Sequence, residues 1–324
     1  MSTVILRRAI SLAALALIGS MNAAAADYPN RPIRMVVAVP PGGPTDFFAR
    51  LVGQKLADRW GQSVIIDNRP GGGQVIGTDI VAKAPADGYT LLMCTQTFSV
   101  NPSLFETLPY DPLRDFQPVS LVARAPLALF VNPTLPAKTL KELIALAKAR
   151  PGQINFASSG PSSSLRFAGE LLKSMTGIEI VHVPYKGSGP ALTDLISGQV
   201  QMMFNDIIAA LPHVKSGRIR VLATASDKRS AAMPEVPTMA EAGLPGYVAE
   251  SWFGVLAPAK VPREVVAALN GEIVRILDQP EVRARIVHDG GEPVSSTPAQ
   301  FNALIRSEMQ KWGKIIRDNK IRPD

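Results

Sequence analysis

Strand-like and helix-like hydrophobic patterns alternate along this chain, and that alternation limits the possible folds more than any other feature. Short apolar runs predict strands at 33–39, 63–67, 90–95, 127–131, 154–158, 178–183, 200–204, 219–225 and 252–257. Apolar residues at helical spacing predict helices at 45–60, 75–83, 138–149, 165–175, 190–198, 262–277 and 298–318. Regular alternation of this kind is typical of an α/β fold with mostly parallel strands.

The first predicted strand ends in a turn that suits an anion. Pro40-Pro41-Gly42-Gly43 ends in two glycines, which have no Cβ that could block a ligand. The helix that follows, with Thr45 or Asp46 as its N-cap, points backbone N–H groups and a positive dipole end toward the turn. A Walker loop would need a Lys and a dinucleotide fingerprint a third glycine, and neither is present. A plain tight connection between strand and helix is the alternative.

A second turn has a similar layout, with a polar loop, Ser159–Ser164, between the strand 154–158 and a helix that starts at Leu165. Hydroxyl groups and the N–H groups of the helix start would converge there, and ordinary helix capping is the alternative. The segment lacks the G-x-S-x-G pattern of a hydrolase, and His182 has no evident orienting acid, which disfavours a catalytic serine.

Smaller polar turns follow other predicted strands, at Thr95-Gln96-Thr97, at 184–190 and at Phe204-Asn205-Asp206. In open α/β sheets, ligands bind outside the carboxyl ends of the strands. Together these turns predict the outline of a cleft. Gly71-Gly72-Gly73, in contrast, is interpreted as a flexible connection into the helix at 75–83, and Arg69 as a surface charge.

The first 26 residues have the pattern of a secretory signal peptide, with a basic Arg7-Arg8 pair, an apolar run at 9–19 and Ala24–Ala26 as the cleavage site. The mature chain is expected to begin at Asp27, to be soluble and exported, and to carry no lipid anchor. Its net charge would fall from +7 to +5, without the basic stripe of a nucleic-acid binder. The single Cys94 excludes an intrachain disulfide, the three histidines lack metal-ligand spacing, and no cofactor is predicted.

Two proline-rich stretches suggest how the chain divides. Segment 101–118 is predicted to be rich in loops, and the apolar run 119–131 after it could carry the chain from one lobe to another. Prolines recur at 234–245, and the apolar run 252–258 could carry the chain back. Two crossings would make one lobe discontinuous and leave a cleft between the lobes.

Nine ordered motifs along nearly the whole predicted mature chain resemble the Bug proteins, the TctC-like extracytoplasmic solute receptors of tripartite tricarboxylate transport. They are Arg31–Arg34, Val39–Gly43 with Asp46 and Ala49-Arg50, Asn68–Gly71, Ala86–Leu92, Leu108–Pro112 with Asp115-Phe116, His182–Gly187, Leu211–His213, Val236–Thr238 with Glu241–Gly243, and Trp252–Gly254. Their common order and plausible spacing make the resemblance specific.

The resemblance implies a two-lobed, class II periplasmic-binding-protein fold that closes on a small carboxylate. Lobe 1 would comprise 27–122 plus 254–324, and lobe 2 would comprise 123–253. We therefore expect a monomeric periplasmic binding protein, not an enzyme, that delivers an organic acid, aromatic acid or amino acid to a membrane permease. A ligand-sensing subunit for signalling and a hydrolase-type enzyme on the same fold are the alternatives.

Two turns, Pro41-Gly42-Gly43 and Ser158-Ser159-Gly160, would hold the ligand carboxylate by the same resemblance. The other expected ligand-binding residues are Thr45, Asp46, Phe47, Thr95, Thr97, Ser163, Arg166, Tyr185, Asn205 and Asp206.

Three of these positions need separate interpretation. The family commonly has His-Leu where this chain has Arg166-Phe167, and Arg166 is either a solvated side chain of the first helical turn or a guanidinium that grips a second carboxylate. The family's Phe-Asp is here Phe204-Asn205-Asp206, which moves the acid by one position. Asp46 is either a helix N-cap or a cleft-facing acid that favours an ammonium ligand.

Overall fold

The structure is a computed structural model that describes residues 28–289, 291–318 and 321–323. The predicted signal peptide at 1–26 lies outside the described residues. Within them, no helix combines the length and the apolar character that a membrane crossing requires.

Strands and helices alternate as the sequence predicts. The strands are β1 (Ile33–Val37), β2 (Val64–Asn68), β3 (Thr90–Thr95), β4 (Phe116–Val131), β5 (Asn155–Ser158), β6 (Val181–Pro184), β7 (Met202–Asp206), β8 (Arg220–Thr224), β9 (Glu250–Pro258) and β10 (Glu292–Pro293). The helices are α1 (Pro44–Trp60), α2 (Val75–Ala82), α3 (Thr97–Leu104), α4 (Leu140–Ala149), α5 (Ser164–Thr176), α6 (Ser188–Ser197), α7 (Ile207–Lys215), α8 (Arg263–Asp278), α9 (Pro280–His288) and α10 (Pro298–Asp318). The α/β class is confirmed.

The prediction that 101–118 is rich in loops is wrong at both ends. Helix α3 runs to Leu104 with Pro102 inside it, because its apolar face is buried against the C-terminal helix α10. Strand β4 starts at Phe116, well before the predicted 127, and Pro118 lies at a shift in its pairing with β9. A proline is tolerated at such a bulge because no ladder hydrogen bond is lost there.

Helices α7 and α9 were also not predicted. Helix α7 contains Pro212, and α9 begins at Pro280, directly after α8 ends at Asp278. A proline usually marks a break in a helical pattern, but Pro280 lies in the first turn of α9, where no hydrogen bond is lost. Pro212 lies inside α7, where it removes one helical hydrogen bond.

One long strand joins the two halves of the sheet. Residues 116–126 of β4 pair antiparallel with β9, and residues 127–131 pair with β7 and β8. On one side β2, β1 and β3 are parallel to one another, and on the other side β7, β5 and β6 are parallel. The strand order is β2-β1-β3-β9-β4-β7-β5-β6, so β4 and β9 cross between two parallel units.

Each unit has its own hydrophobic core. Described core residues from Leu127 to Ala249 form one cluster, whereas those from Ile33 to Ala125 and from Trp252 onward form the clusters of the other unit. The fold is therefore two-lobed, with the first lobe discontinuous in sequence. The predicted boundaries at 122/123 and 253/254 stay a prediction, which the change of cluster near these positions supports.

A fourth cluster joins the lobes behind the cleft. Phe167 of α5 packs on Trp312 of α10 with ring centroids 5.5 Å apart, and Val100 and Leu104 of α3 complete the contact. Burial of such aromatic surface stabilises the contact and holds the start of α5 against the other lobe.

Candidate ligand-binding cleft

A cavity of about 850 Å³ lies between the lobes. The first lobe contributes the turns after β1, β2 and β3, and the second lobe contributes the turns after β5, β6 and β7. All six turns lie at carboxyl ends of strands, where α/β sheets bind ligands. In the described part of the chain, Lys186 and Asp206 are the only charged residues of the lining. The cleft therefore relies on backbone groups, hydroxyls and amides for polar recognition.

The glycine turn, Pro40–Gly43, is held from below by Asp46. The Gly42 N–H donates to Asp46 Oδ2 at 3.0 Å, and the Asn68 amide donates to Asp46 Oδ1 at 3.0 Å. The Arg50 guanidinium donates to both carboxylate oxygens at 2.8 and 3.0 Å. A carboxylate of the protein itself thus holds the turn in its conformation.

Asp46 and Thr45 do not cap helix α1, so that prediction is wrong. Pro44 is the first helical residue, and Gly43 becomes an N-cap without a side-chain bond. Asp46 is then the third helical residue, and it reaches back to the preceding turn. Burial acts to raise its pKa, but hydrogen bonds from Arg50, Gly42 and Asn68 outweigh burial and hold the pKa below its usual range.

At Gly160, the serine turn, Ser158–Ser163, is held by neutral groups. Ser158 Oγ donates to the Gly160 carbonyl at 3.0 Å and accepts from the Gly160 N–H at 3.2 Å. His182 Nε2 lies 2.7 Å from the same oxygen, and all three bonds form together when this nitrogen carries the proton. Ser163 donates to the Gly160 carbonyl at 2.8 Å and caps α5 at the Arg166 N–H.

The pair of Ser158 and His182 therefore acts as a brace for the turn. Ser158 is fully buried, and it is absent from the cleft lining. A serine nucleophile needs an exposed oxygen and a base free to accept its proton. The geometry gives no support to the hydrolase alternative.

Residues 71–74 form a further turn that lines the cleft, and the sequence did not predict it there. Gly71, Gly72, Gly73 and Gln74 all have positive φ and all line the cavity, so this segment is an ordered turn rather than a flexible connection. The Gln74 amide accepts from Thr95 Oγ1 at 3.1 Å and donates to Thr97 Oγ1 at 3.1 Å. The run of three glycines was the available signal, because adjacent glycines permit this backbone.

Polar contacts cross the cleft from one lobe to the other. Thr97 Oγ1 donates to the Ser162 carbonyl at 3.1 Å, and Ser162 Oγ donates to the Gly73 carbonyl at 3.3 Å. The Ser164 and Ser251 hydroxyls, 2.8 Å apart, link α5 to the crossing strand β9 within the second lobe and are not one of these contacts. These contacts depend on the two lobes being close together, so the structure has the cleft in a closed arrangement.

The structure brings most of the predicted site residues together. The residues in the cavity lining are Pro41, Gly42, Gly43, Thr45, Thr95, Thr97, Ser159, Gly160, Ser163, Tyr185 and Asp206. The predicted residues outside the lining are Asp46, Phe47, Ser158, Arg166 and Asn205. Lining residues that were not predicted include Gln74, Ser162, Ser164, Lys186, Ser188 and Ser251.

Arg166 is not a solvated side chain, so that interpretation is wrong. It is 5% exposed, because the lobe-joining cluster covers the start of α5. Its Nη1 donates to the Pro161 carbonyl at 2.9 Å, and its Nε lies 3.9 Å from a Glu170 oxygen. Arg166 thus supports the serine turn from behind.

Two further predicted residues are held by their neighbours. Phe47 packs on Phe48 with ring centroids 5.1 Å apart, next to the core of its lobe. Asn205 is fully buried, and its side-chain carbonyl accepts from the Asp206 N–H at 3.0 Å. The moved acid, Asp206, is therefore the member of the pair that reaches the cleft.

Tyr185 lines the cleft with a phenol that is already engaged. Its hydroxyl donates to Asp194 Oδ2 at 2.7 Å. Burial and this carboxylate raise the pKa of Tyr185 to about 12, so the phenol stays neutral. Tyr185 can contribute its ring face to a ligand, while its hydroxyl is already used as a donor to Asp194.

Known proteins match the chain along most of its length. The family described as the tripartite tricarboxylate transporter family receptor (TctC) matches residues 48–321. Protein BugT of Bordetella pertussis is 43% identical over 293 residues, which is 90% of each chain.

Solved structures of other proteins are similar to this chain in both sequence and fold. R. palustris Rpa4515 with adipate has a TM-score of 0.88 at 38% identity, over 92% of this chain and 100% of that one. MatC from Rhodopseudomonas palustris with bound malate has a TM-score of 0.84 at 33% identity, over 89% and 100%. Both similarities extend to sequence and fold over nearly whole chains.

Proposed function

The chain belongs to the TctC family of tripartite tricarboxylate transporter receptors, as its motifs predict, and we propose that it captures a small carboxylate in its cleft and delivers it to a membrane permease. Members of this family are periplasmic solute-binding receptors. Export through the predicted signal peptide is part of the proposal.

The observation that carries the proposal is the composition of the cleft. Two helices, α1 and α5, start at the cavity from opposite lobes. Pro44 has no N–H, and Ser163 caps the Arg166 N–H. The N–H groups of Thr45, Ser164 and Leu165, in contrast, have no acceptor within their own helices. The N–H groups of Gly42 and Gly160 are already used inside their turns. We therefore infer that the helix starts, together with Ser and Thr hydroxyls, donate to the ligand carboxylate.

The ligand class follows from relatives whose structures contain adipate and malate. Both compounds are dicarboxylates of four to six carbons, and a cavity of about 850 Å³ is more than large enough for them and for bridging water. Binding would shift the protein from open to closed forms, and the permease would recognise the closed form.

Calorimetric titration with adipate, malate, hexanoate and benzoate tests the binding step. We expect at least one to bind with a micromolar or lower Kd, and 1,6-hexanediol, which has no carboxylate, to show no binding. Saturation at a hundredfold excess over Kd should add about 2.7 kcal/mol to the free energy of unfolding. Equal binding of the diol, or no binding of any acid, would contradict the proposal.

A matched pair of variants tests closure. Gly61 and Gly73 have φ of 65° and 61°, so an alanine is similarly strained at both. A Cβ on Gly61 meets nothing, whereas one on Gly73 would lie 2.7 Å from Ser162 Oγ in the other lobe. We expect Gly73→Ala to weaken acid binding about tenfold relative to Gly61→Ala, which corresponds to about 1.4 kcal/mol. Equal affinities would contradict closure.

An experiment in cells distinguishes delivery of the acid to a permease from ligand sensing. Loss of this chain should abolish uptake of the labelled acid while the permease is still expressed. Normal uptake together with lost gene induction would support the sensing alternative instead. Release of product from ester or amide analogues of a bound acid would favour the enzyme alternative.

A further inference from the structure

Asp206 places a carboxyl group in the wall of the cleft at the end of β7. The residue is 6% exposed, and it lines the cavity beside Ser164 and Ser251. It precedes helix α7, yet its side chain makes no capping bond to that helix. Its backbone N–H donates to the Asn205 side-chain carbonyl at 3.0 Å, which anchors the main chain at this point.

One oxygen of this carboxyl group has no hydrogen-bond partner. Asp206 Oδ1 is buried and contacts no donor among the described residues. A carboxylate in that position would leave negative charge without solvation, which is costly in a buried site. A neutral carboxylic acid leaves only an uncharged oxygen there, so the surroundings favour the protonated form.

Among the described residues, none forms an ion pair with Asp206, although Lys186 lines the same cavity. The titratable side chains on the elements packed against β7 and on the adjacent end of β9 are Arg124, Arg166, Glu170, Lys173, Asp194, His213, Lys215 and Glu250. Arg124 pairs with Glu250 at 3.0 Å, and Asp194 accepts from Tyr185. Burial raises the pKa of Asp206 to about 7, and only the Ser251 hydroxyl and its own backbone N–H act to lower it.

We propose that Asp206 binds the ligand in its neutral, protonated form and donates a hydrogen bond to a ligand carboxylate, so that capture takes up one proton above neutral pH. The proposal rests on the proposed function and adds a specificity device to the same cleft. The proton comes from solvent and stays on Asp206, between two oxygen atoms that would otherwise repel each other. No covalent bond forms or breaks.

A pH dependence of affinity follows. A ligand carboxylate beside Asp206 disfavours its ionised form and raises its pKa further on binding. Below neutral pH the proton is already present and affinity is flat. Above it the proton must be acquired, so Kd rises with pH by at most tenfold per unit. An ammonium ligand would give the opposite slope, because it favours ionised Asp206.

The experiment is calorimetric titration of the full mature chain with adipate, malate, hexanoate and benzoate between pH 5.5 and 8.5. Each titration is run in two buffers of different ionisation enthalpy, so that bound protons are counted. We expect close to no proton uptake at pH 5.5 and close to one proton per ligand at pH 8.5. A ¹³C NMR titration of the Asp206 carboxyl in the free protein should show its midpoint near neutral pH.

Two variants complete the design. Asp206→Asn keeps a hydrogen-bond donor without a titrating group, so its affinity should be independent of pH and its proton uptake lost. Asp58→Asn removes the same charge from an exposed position on α1 and should behave as the original chain. The NMR titration also shows whether Asp206→Asn removes a single resonance or unfolds the protein.

The outcomes separate the two proposals. If acids bind without proton uptake, or with proton release, or with the same uptake in Asp206→Asn, this inference is overturned while carboxylate capture stands. If none of the four acids binds at any pH, the proposed function fails and this inference fails with it.

Discussion

The two turns that face each other across the cleft both connect a strand to a helix, but their supporting chemistry differs. The glycine turn is tied to a buried carboxylate, Asp46, which is neutralised by Arg50. The serine turn is tied at Gly160 by the hydroxyls of Ser158 and Ser163 and by His182, with the Arg166 guanidinium on the Pro161 carbonyl behind it. Both turns present a helix start to the cavity, yet only the glycine turn has its central glycine bonded to a carboxylate.

This difference predicts how strongly the stability of the protein depends on the support of each turn. Removal of one partner of a buried ion pair leaves the other charges and amides unpaired, whereas removal of a hydroxyl leaves a neutral group that water can often replace. Loss of the side chain that holds Gly42 should therefore destabilise the protein more than loss of one that holds Gly160, and acid should affect the glycine turn more than the serine turn. Four measurements test this comparison.

The largest effect is expected for Asp46→Ala. It leaves the Arg50 guanidinium, the Asn68 amide and the Gly42 N–H without their acceptor. Because Arg50 is half exposed, we expect a loss of about 3 kcal/mol in the free energy of unfolding, at the lower end for a broken buried pair. Urea unfolding measures it, with the exposed Asp58→Ala as control. A loss as small as that of the control would contradict the comparison.

The next largest effect is expected from replacing the positive-φ glycine of each turn. Gly160 has φ of 138° and Gly42 has φ of 92°, and both angles are unfavourable for residues with a Cβ. We expect Gly160→Ala to cost about 2 kcal/mol and Gly42→Ala about 1 kcal/mol, since the Gly160 angle lies further from the left-handed helical region. Urea unfolding of both variants decides the order, and the reverse order would show that the glycine turn is the more constrained backbone.

A smaller effect is expected for the neutral support of the serine turn. Ser163→Ala removes the N-cap of α5 and a bond to the Gly160 carbonyl, which should cost about 1 kcal/mol. Ser163→Thr keeps the hydroxyl and should recover most of it. Thermal unfolding at constant pH compares the two. If alanine and threonine are equally stable, the hydroxyl does not support the turn.

The smallest effect is the response to acid. The folded-state pKa of Asp46 is lowered, so its contribution is complete above the unfolded pKa near 4 and disappears as pH falls through the folded pKa. The difference in unfolding free energy between the original chain and Asp46→Asn should therefore shrink as pH falls from 6 toward 2.5. A constant difference would mean that the carboxylate charge does not support the glycine turn.

Strong local patterns predicted most elements of the fold. Helix α10 was predicted at 298–318 from its apolar stripe, and the structure has Pro298–Asp318. Helix α3 was missed, because Pro102 interrupts its pattern and burial against another element stabilises it. Prolines inside β4 hid its length for a similar reason. Local propensity was overruled where distant residues cover the segment.

The cleft was predicted in position but not in detail. Turns at strand ends must gather at one edge of the sheet, so Gly42, Ser159 and Thr95 could be grouped from sequence. The direction of a side chain depends on what covers it. Arg166 is buried because Phe167 docks its helix on the opposite lobe, and nothing near it in sequence indicates this.

The amino-acid sequence by itself determined the α/β class and most of the turns that form the cleft, because these follow from periodicity and from glycine, proline and serine at strand ends, and its ordered motifs indicated the family by resemblance. The tertiary structure alone decided that Asp46 braces a turn, that Gln74 joins the cleft and that Asp206 is buried without an ion-pair partner among the described residues. Gln74 and Asp206 depend on groups distant in sequence. The bonds of Asp46 to Gly42 and Arg50 are local, but Asp46 also depends on the distant Asn68. The approach of distant groups sets burial and hydrogen bonding and therefore charge.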